Sequence, residues 1–292
     1  MKIAVIGASG YIGTNLIKRL LIETNHEIIA LSRNSEAMTL DNVRLKKHNI
    51  DIFDKDLASY VNDVDAIYYL IHMMEQTKMD FAEAEKKAAL SFNKAIKGSR
   101  AKRIIYLGGL GSDLDNLSKH LSSRHNTGSI LRQGTVQIIE FRASMIIGKG
   151  SIAYDIVVNL VHKLPVLLVP KWSETLSQPI GLDDAISYLI TSLDLRNRQN
   201  LIIEIGGPEK MSYQDIIRHY SKWQGKKRLI IEIPIIPVSV SAWWLNLFTP
   251  KNQAKVGRAM AESLANEMIV TNLLSERLFP KIHPKPIDKI FI

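Results

Sequence analysis

Short apolar runs alternate with amphipathic stretches through the first two thirds of the chain. Runs at 3–6, 27–31, 43–47, 66–71, 103–107 and 136–141 predict strands, and stretches at 11–22, 55–61, 81–96 and 117–132 predict the helices between them. Several runs, such as Ala66-Ile67-Tyr68-Tyr69-Leu70-Ile71, are almost continuously apolar. That is the signature of strands covered on both faces. Strand–helix alternation at this pitch predicts βαβ units and an α/β fold, a doubly wound parallel sheet of the Rossmann kind.

After Gly148 the rhythm breaks. A helix is predicted at 152–161, and Pro165, Pro170 and Pro179 then punctuate short extended pieces. A helix at 183–193 and a strand at 201–205 follow, closed by Gly206-Gly207-Pro208. Beyond them lie a helix at 212–223 and a strand at 228–233. The stretch 233–248 carries no charged residue, but Pro234 and Pro237 interrupt it. A membrane span needs about 20 apolar residues, so a buried strand leading into a helix over a pocket is expected, with no transmembrane segment.

Composition narrows the function classes. The 292 residues suffice for one large domain or two unequal ones, and 46% hydrophobic against 23% charged residues is an ordinary globular mixture. With no cysteine, disulfides, a thiolate nucleophile, cysteine-held zinc and iron–sulfur clusters are excluded. The net charge of +9 is spread along the chain. Its densest run, Lys226-Lys227-Arg228, reads as a solvated turn before a strand, so no nucleic-acid partner is expected. Met1-Lys2-Ile3-Ala4-Val5-Ile6-Gly7 reads as strand and turn with no signal peptide before it, which gives an expected cytoplasmic location. The histidines show no paired ligand spacing, and no metal site is expected.

The chemistry begins at Gly7-Ala8-Ser9-Gly10-Tyr11-Ile12-Gly13, directly after the first strand and at the opening of the first helix. Glycines there permit a tight turn and let main-chain N–H groups and the helix N-terminus approach a pyrophosphate. Ser9, Tyr11 and Ile12 are expected to contribute through the backbone. The second strand runs into Ser32-Arg33, where an NAD site would carry an acid for the ribose hydroxyls. A hydroxyl and a guanidinium suit a 2′-phosphate instead, so NADP(H) is expected in preference to NAD(H). Asp51 and Ile52 after the third strand are candidates for the adenine pocket. Leu70, Ile71 and His72 after the fourth, and Gly108 and Gly109 after the fifth, are candidates for the cofactor's path along the sheet edge.

These residues resemble the short-chain dehydrogenase/reductase superfamily, in its atypical NmrA-like, NAD(P)H-binding branch. The resemblance rests on Gly7–Gly13, Tyr69-Leu70-Ile71-His72, Arg103-Ile104-Ile105-Tyr106-Leu107-Gly108-Gly109-Leu110-Gly111 and Phe141-Arg142-Ala143. Gln178-Pro179-Ile180 before Asp183-Asp184, and Gly206-Gly207-Pro208-Glu209, extend it over nearly the whole chain. Some of these strings look like a subgroup described as nucleoside-diphosphate-sugar epimerase-like. The resemblance implies a Rossmann core, here 1–148 plus 181–207, and a smaller C-terminal substrate or lid region, 149–180 plus 208–292. Lys171-Trp172 and Trp243-Trp244 fall in that second region.

The departures concern catalysis. Active family members use a Tyr-x-x-x-Lys pair, in which the lysine lowers the tyrosine pKa for proton exchange with substrate. The corresponding positions hold His120 and Arg124, one helical turn apart and on one face. The usual Ser or Thr after the fifth strand gives way to Gly108-Gly109-Leu110-Gly111, with Ser112 the nearest hydroxyl. A neutral-range histidine transfers protons well, and an arginine binds ribose or phosphate. Two readings follow. One is a reductase or epimerase acting through His120, Arg124 and Ser112 on a small carbonyl or nucleotide-sugar. The other is a non-catalytic NAD(P)(H) sensor or assembly factor that works through a protein partner.

Overall fold

The computed structural model describes residues 1–73, 80–112, 115–233 and 263–291. Seven parallel strands form the central sheet: β1 (Lys2–Ile6), β2 (Glu27–Ser32), β3 (Leu45–Asn49), β4 (Ala66–Tyr69), β5 (Arg103–Gly109), β6 (Gln137–Ala143) and the edge strand Leu201–Ile205. In space they run from that edge strand through β6, β5, β4, β1 and β2 to β3. The chain lays β1, β2 and β3 outward in one direction, then returns past β1 to start β4 and build the other way. Between β1 and β4 the order reverses, and the crevice beyond the strands' carboxyl ends at such a point is where doubly wound sheets hold ligands.

Alternate residues of each strand serve opposite faces. Ile3 and Val5 of β1 pack with Leu16, Ile17 and Leu20 of helix α1 (Tyr11–Glu23) and with Ile186 and Leu189 of the helix Leu182–Thr191. Ala4 and Ile6 face the other way, among Ala88, Ala89 and Phe92 of α3 (Phe81–Ala95) and Leu131 of α4 (Lys119–Arg132), with α2 (Leu57–Val61) at the margin. A third apolar cluster joins helix α5 (Ile152–Lys163) to the helix Tyr213–Trp223 and to Phe291. It also takes in Leu167 and Val169 of a two-stranded parallel sheet made by Val166–Pro170 and Leu229–Ile233.

Several boundaries differ from expectation, each for a local reason. The third strand starts at Leu45, and Val43, expected within it, is 99% exposed. Asn42 accepts from the Arg44 N–H through its side chain at 2.9 Å and from the Leu45 N–H through its carbonyl at 3.0 Å, a turn that ejects Val43. The fourth strand ends at Tyr69, because beyond Leu70 the backbone leaves the sheet and Ile71 gives its carbonyl to Arg124. Helix α4 begins at Lys119, since Ser118 caps it by accepting from the Leu121 N–H at 3.2 Å. Apart from Ile233, the charge-free stretch 233–248 and its Trp243-Trp244 pair lie outside the described residues. Among the described residues no helix is long and apolar enough to cross a membrane.

Candidate functional site

Beyond the carboxyl ends of the strands lies a cavity of about 600 Å³. One end is built by the glycine turn. Gly7 has φ +84°, and a Cβ there would stand 2.7 Å from the Leu70 carbonyl oxygen. At Gly13 a Cβ would stand 2.4 Å from the Gly7 carbonyl oxygen, so helix α1 approaches the turn as closely as it does only without a side chain. The turn is held to the sheet by the N–H groups of Gly7 and Ala8, which donate to the Leu31 carbonyl at 3.0 and 3.2 Å.

Helix α1 begins on Gly10 with no side-chain cap and no acid in its first turn, whereas the side chains of Asp80, Ser118 and Ser151 cap α3, α4 and α5; α2 and the helix Leu182–Thr191 also start without a side-chain cap. The first N–H groups of α1 and the positive end of its dipole therefore face the cavity, where an anion would complete them. Along the rim, the Ser32 hydroxyl is buried without a hydrogen-bond partner, while Arg33 leaves 44% of its side chain exposed, 4.0 Å from Asp51 Oδ2. The orphaned hydroxyl lacks an acceptor, and the guanidinium beside it keeps a long contact to Asp51 with much of its side chain open to a ligand. A pyrophosphate on the turn and a phosphorylated ribose at Ser32 and Arg33 fit these features.

Every residue proposed from sequence for the cofactor lines this one cavity: Gly7, Ser9, Gly10, Tyr11, Ile12 and Gly13 at the turn, Ser32, Arg33, Asp51 and Ile52 at the far edge, and Leu70, Ile71, His72, Gly108 and Gly109 along the floor. Tyr11 also spans the cavity wall, donating its hydroxyl to the Lys149 carbonyl at 3.2 Å. Burial and the nearby Asp155 raise its pKa to about 12.

The histidines named separately from sequence meet at the other end. His72 Nε2 lies 3.0 Å from His120 Nε2, the rings stacked with centroids 5.1 Å apart. His72 Nδ1 is 3.5 Å from Glu85 Oε1, and His120 Nδ1 is 2.9 Å from the hydroxyl of Ser263. Burial lowers both imidazoles well below the ordinary histidine value; the charge of Arg124 adds to it at His72, and at His120 both His72 and Arg124 do. Glu85 is 3% exposed in its side chain and accepts from the Ser123 hydroxyl at 2.6 Å. Neither Glu85 nor Ser263 was foreseen. Glu85 carried a signal, because it interrupts the apolar stripe of α3 shared with Ala88, Ala89 and Phe92; Ser263 carried none.

Arg124 sits differently from the expectation of a substrate-binding cation. Its guanidinium donates to the Ile71 carbonyl at 3.0 Å and to the Leu107 carbonyl, lies 3.7 Å from Glu85 Oε1, and rests over the Tyr106 ring at 4.8 Å. It ties the ends of β4 and β5 together and supports the cavity floor. Ser112, the third catalytic candidate, is not among the described residues that line the cavity. His125 lies inside α4, with its Nε2 2.9 Å from the Gly109 carbonyl oxygen. Arg142 lies within β6, buried, and donates to Glu140 at 2.8 Å. Among the described residues no group of three or more His, Asp or Glu could hold a metal ion.

Residues 7–142 match a protein-family model described as NAD(P)H-binding. No curated protein matches the chain. Among solved structures, the triphenylmethane reductase of Citrobacter sp., complexed with NADP(H), shares 15% identity over 100% of both chains with a TM-score of 0.77. A nucleoside-diphosphate-sugar epimerase from Staphylococcus aureus shares 14% identity, covering 100% of this chain and 99% of that one, with a TM-score of 0.76. The UDP-glucuronic acid 4-epimerase of Bacillus cereus, in complex with NAD, shares 18% identity over 91% of this chain and 98% of that one, with a TM-score of 0.68. At these identities the likeness speaks for the fold, and it agrees with the glycine turn, the strand order and the family match. Residues 7–142 thus carry the match to an NAD(P)H-binding family model, and the chain shares its fold with these solved reductase and epimerase structures.

Proposed function

We propose that the protein is an NADP(H)-dependent reductase or epimerase acting on a small carbonyl or nucleotide-sugar. The observation that carries this reading is continuity. One cavity is lined at one end by the glycine turn, Ser32 and Arg33, and at the other by His72, His120 and Ser263. The bound nicotinamide would supply or accept a hydride. The chain's own residues do the rest. The turn and the uncapped start of α1 hold the pyrophosphate, and Ser32 and Arg33 hold a 2′-phosphate by charge-assisted hydrogen bonds. Arg124 fixes the floor between β4 and β5, and His120, beside His72, holds the position that the resemblance gives to the family's tyrosine. The described residues of the second region would face the substrate, with Ile152, Ala153 and Tyr213 at the cavity wall.

A fluorescence titration of nucleotide-stripped protein with NADPH and NADH tests this reading. Selective NADPH binding is expected, followed by NADPH consumption on screening aldehydes, ketones and nucleotide-sugars. Selective NADPH binding with no turnover on any of them would favour a cofactor sensor, and binding of neither nucleotide would overturn both.

A further inference from the structure

We infer that Ser263 is the proton-exchanging group of this site, served by a relay through His120 and His72 that ends on the buried carboxylate of Glu85. The inference rests on the cofactor reading above. It begins from the contacts among these groups, which accommodate the following set of tautomers. Glu85 Oε1 lies 3.5 Å from His72 Nδ1, at charge-pair distance, and a proton on that nitrogen leaves His72 Nε2 as an acceptor. His120 Nε2, 3.0 Å away, must then donate, so His120 Nδ1 is an acceptor. The hydroxyl 2.9 Å from that nitrogen is Ser263, which donates to it. The Ser118 hydroxyl, 2.9 Å from Ser263 Oγ, donates in turn, while its own oxygen accepts from the Leu121 N–H. Ser263 lines the cavity and Glu85 does not, so the chain has a reacting end and a storage end.

The step balances without a co-reactant beyond the nicotinamide cofactor of the proposed reaction. As a substrate alcohol is oxidised, its carbinol hydrogen leaves as hydride to the oxidised nicotinamide and its hydroxyl proton passes to Ser263. Ser263 passes its own proton to His120 Nδ1, His120 passes the Nε2 proton to His72 Nε2, and His72 passes the Nδ1 proton to Glu85. Both imidazoles exchange tautomers and end neutral, as their depressed basicity requires. The carbonyl forms, and Glu85 holds the proton until the reverse transfer returns it. Other groups facing the relay are Arg124 from α4, 3.7 Å from Glu85 Oε1, and the phenols of Tyr69 and Tyr106 from β4 and β5.

The absence of cysteine gives a direct test. Ser263→Cys introduces a single thiol, whose ionisation is read from the pH dependence of its alkylation by iodoacetamide. A free thiol titrates at about 8.5, and its alkylation falls about tenfold per pH unit below that value. Transfer along the relay keeps the proton inside the protein and does not depend on bulk pH. The relay therefore predicts that alkylation of Ser263→Cys levels off to a pH-independent rate between about pH 6 and 8, and that the steep fall returns in Ser263→Cys/Glu85→Gln. Should the double variant be unfolded by circular dichroism, Ser263→Cys/His72→Asn breaks the chain one link earlier and must remove the plateau in the same way. A steep fall in Ser263→Cys itself, or a plateau unmoved by both second substitutions, overturns the relay. NADPH titration of the same variants separates the two claims. No plateau in a protein that still binds NADPH sinks the relay alone, and a plateau in one that binds no nucleotide supports the relay while sinking the cofactor reading.

Discussion

At the scale of single residues, selectivity and stability are carried by different charges. Arg33 stands half exposed beside an unpartnered Ser32 hydroxyl, so its charge is available to a ligand. Hydrogen bonds to charged groups contribute about 1.5–3 kcal/mol. Arg33→Ala should therefore weaken NADPH binding by roughly ten- to a hundredfold and leave NADH binding nearly unchanged; equal losses for both would contradict the 2′-phosphate assignment. Glu85 is the opposite case. It is buried opposite Arg124, and removing one partner of a buried pair leaves the other charge uncompensated. Glu85→Ala should cost about 3–5 kcal/mol in denaturant unfolding, and a loss under about 1 kcal/mol would show that Arg124 is satisfied by the Ile71 and Leu107 carbonyls alone. Sequence reading singled out Arg33, His72 and His120, which line the cavity, because each follows a strand or holds a position of the resembled family's motif. It missed Glu85 because a carboxylate within a helical stripe is ordinarily solvated, and only tertiary packing shows it facing inward.

At the scale of elements, the glycine turn is where local sequence and global fold agree most closely. The spacing of Gly7, Gly10 and Gly13 was legible because it combines a backbone conformation, a close approach and an open helix start in seven residues. Gly13→Ala places a methyl group 2.4 Å from the Gly7 carbonyl oxygen. It should displace α1 and lower NADPH affinity at least about tenfold, with a reduced melting temperature; an unchanged affinity would mean that the turn does not touch the pyrophosphate. Strand positions were legible too, since buried parallel strands leave continuous apolar runs. Their ends were less so, because side-chain turns such as that of Asn42 decide them. Nothing local marked Ser263, whose partner His120 lies 143 residues earlier in the chain.

At the scale of the whole molecule, the histidine pair ties stability to pH. Both folded-state values lie near 3, below the unfolded value of about 6.5. Between those limits the unfolded chain binds the more protons, so this part of the stability is complete above about pH 6.5 and is lost as pH falls toward the folded values. Melting temperature should fall from pH 7 to pH 4 more steeply in the wild type than in His72→Asn/His120→Asn, and parallel profiles would contradict the paired neutral state. The 600 Å³ cavity assembles in an order set by the chain itself. Most of the nucleotide-facing wall comes from β1 through β6, whereas the hydroxyl at its other end comes from position 263. During synthesis from the N-terminus, the parts for gripping a dinucleotide leave the ribosome well before the part that would move a proton. On the proposed reading, dinucleotide binding and proton transfer would thus be supplied by parts of the chain made at different times.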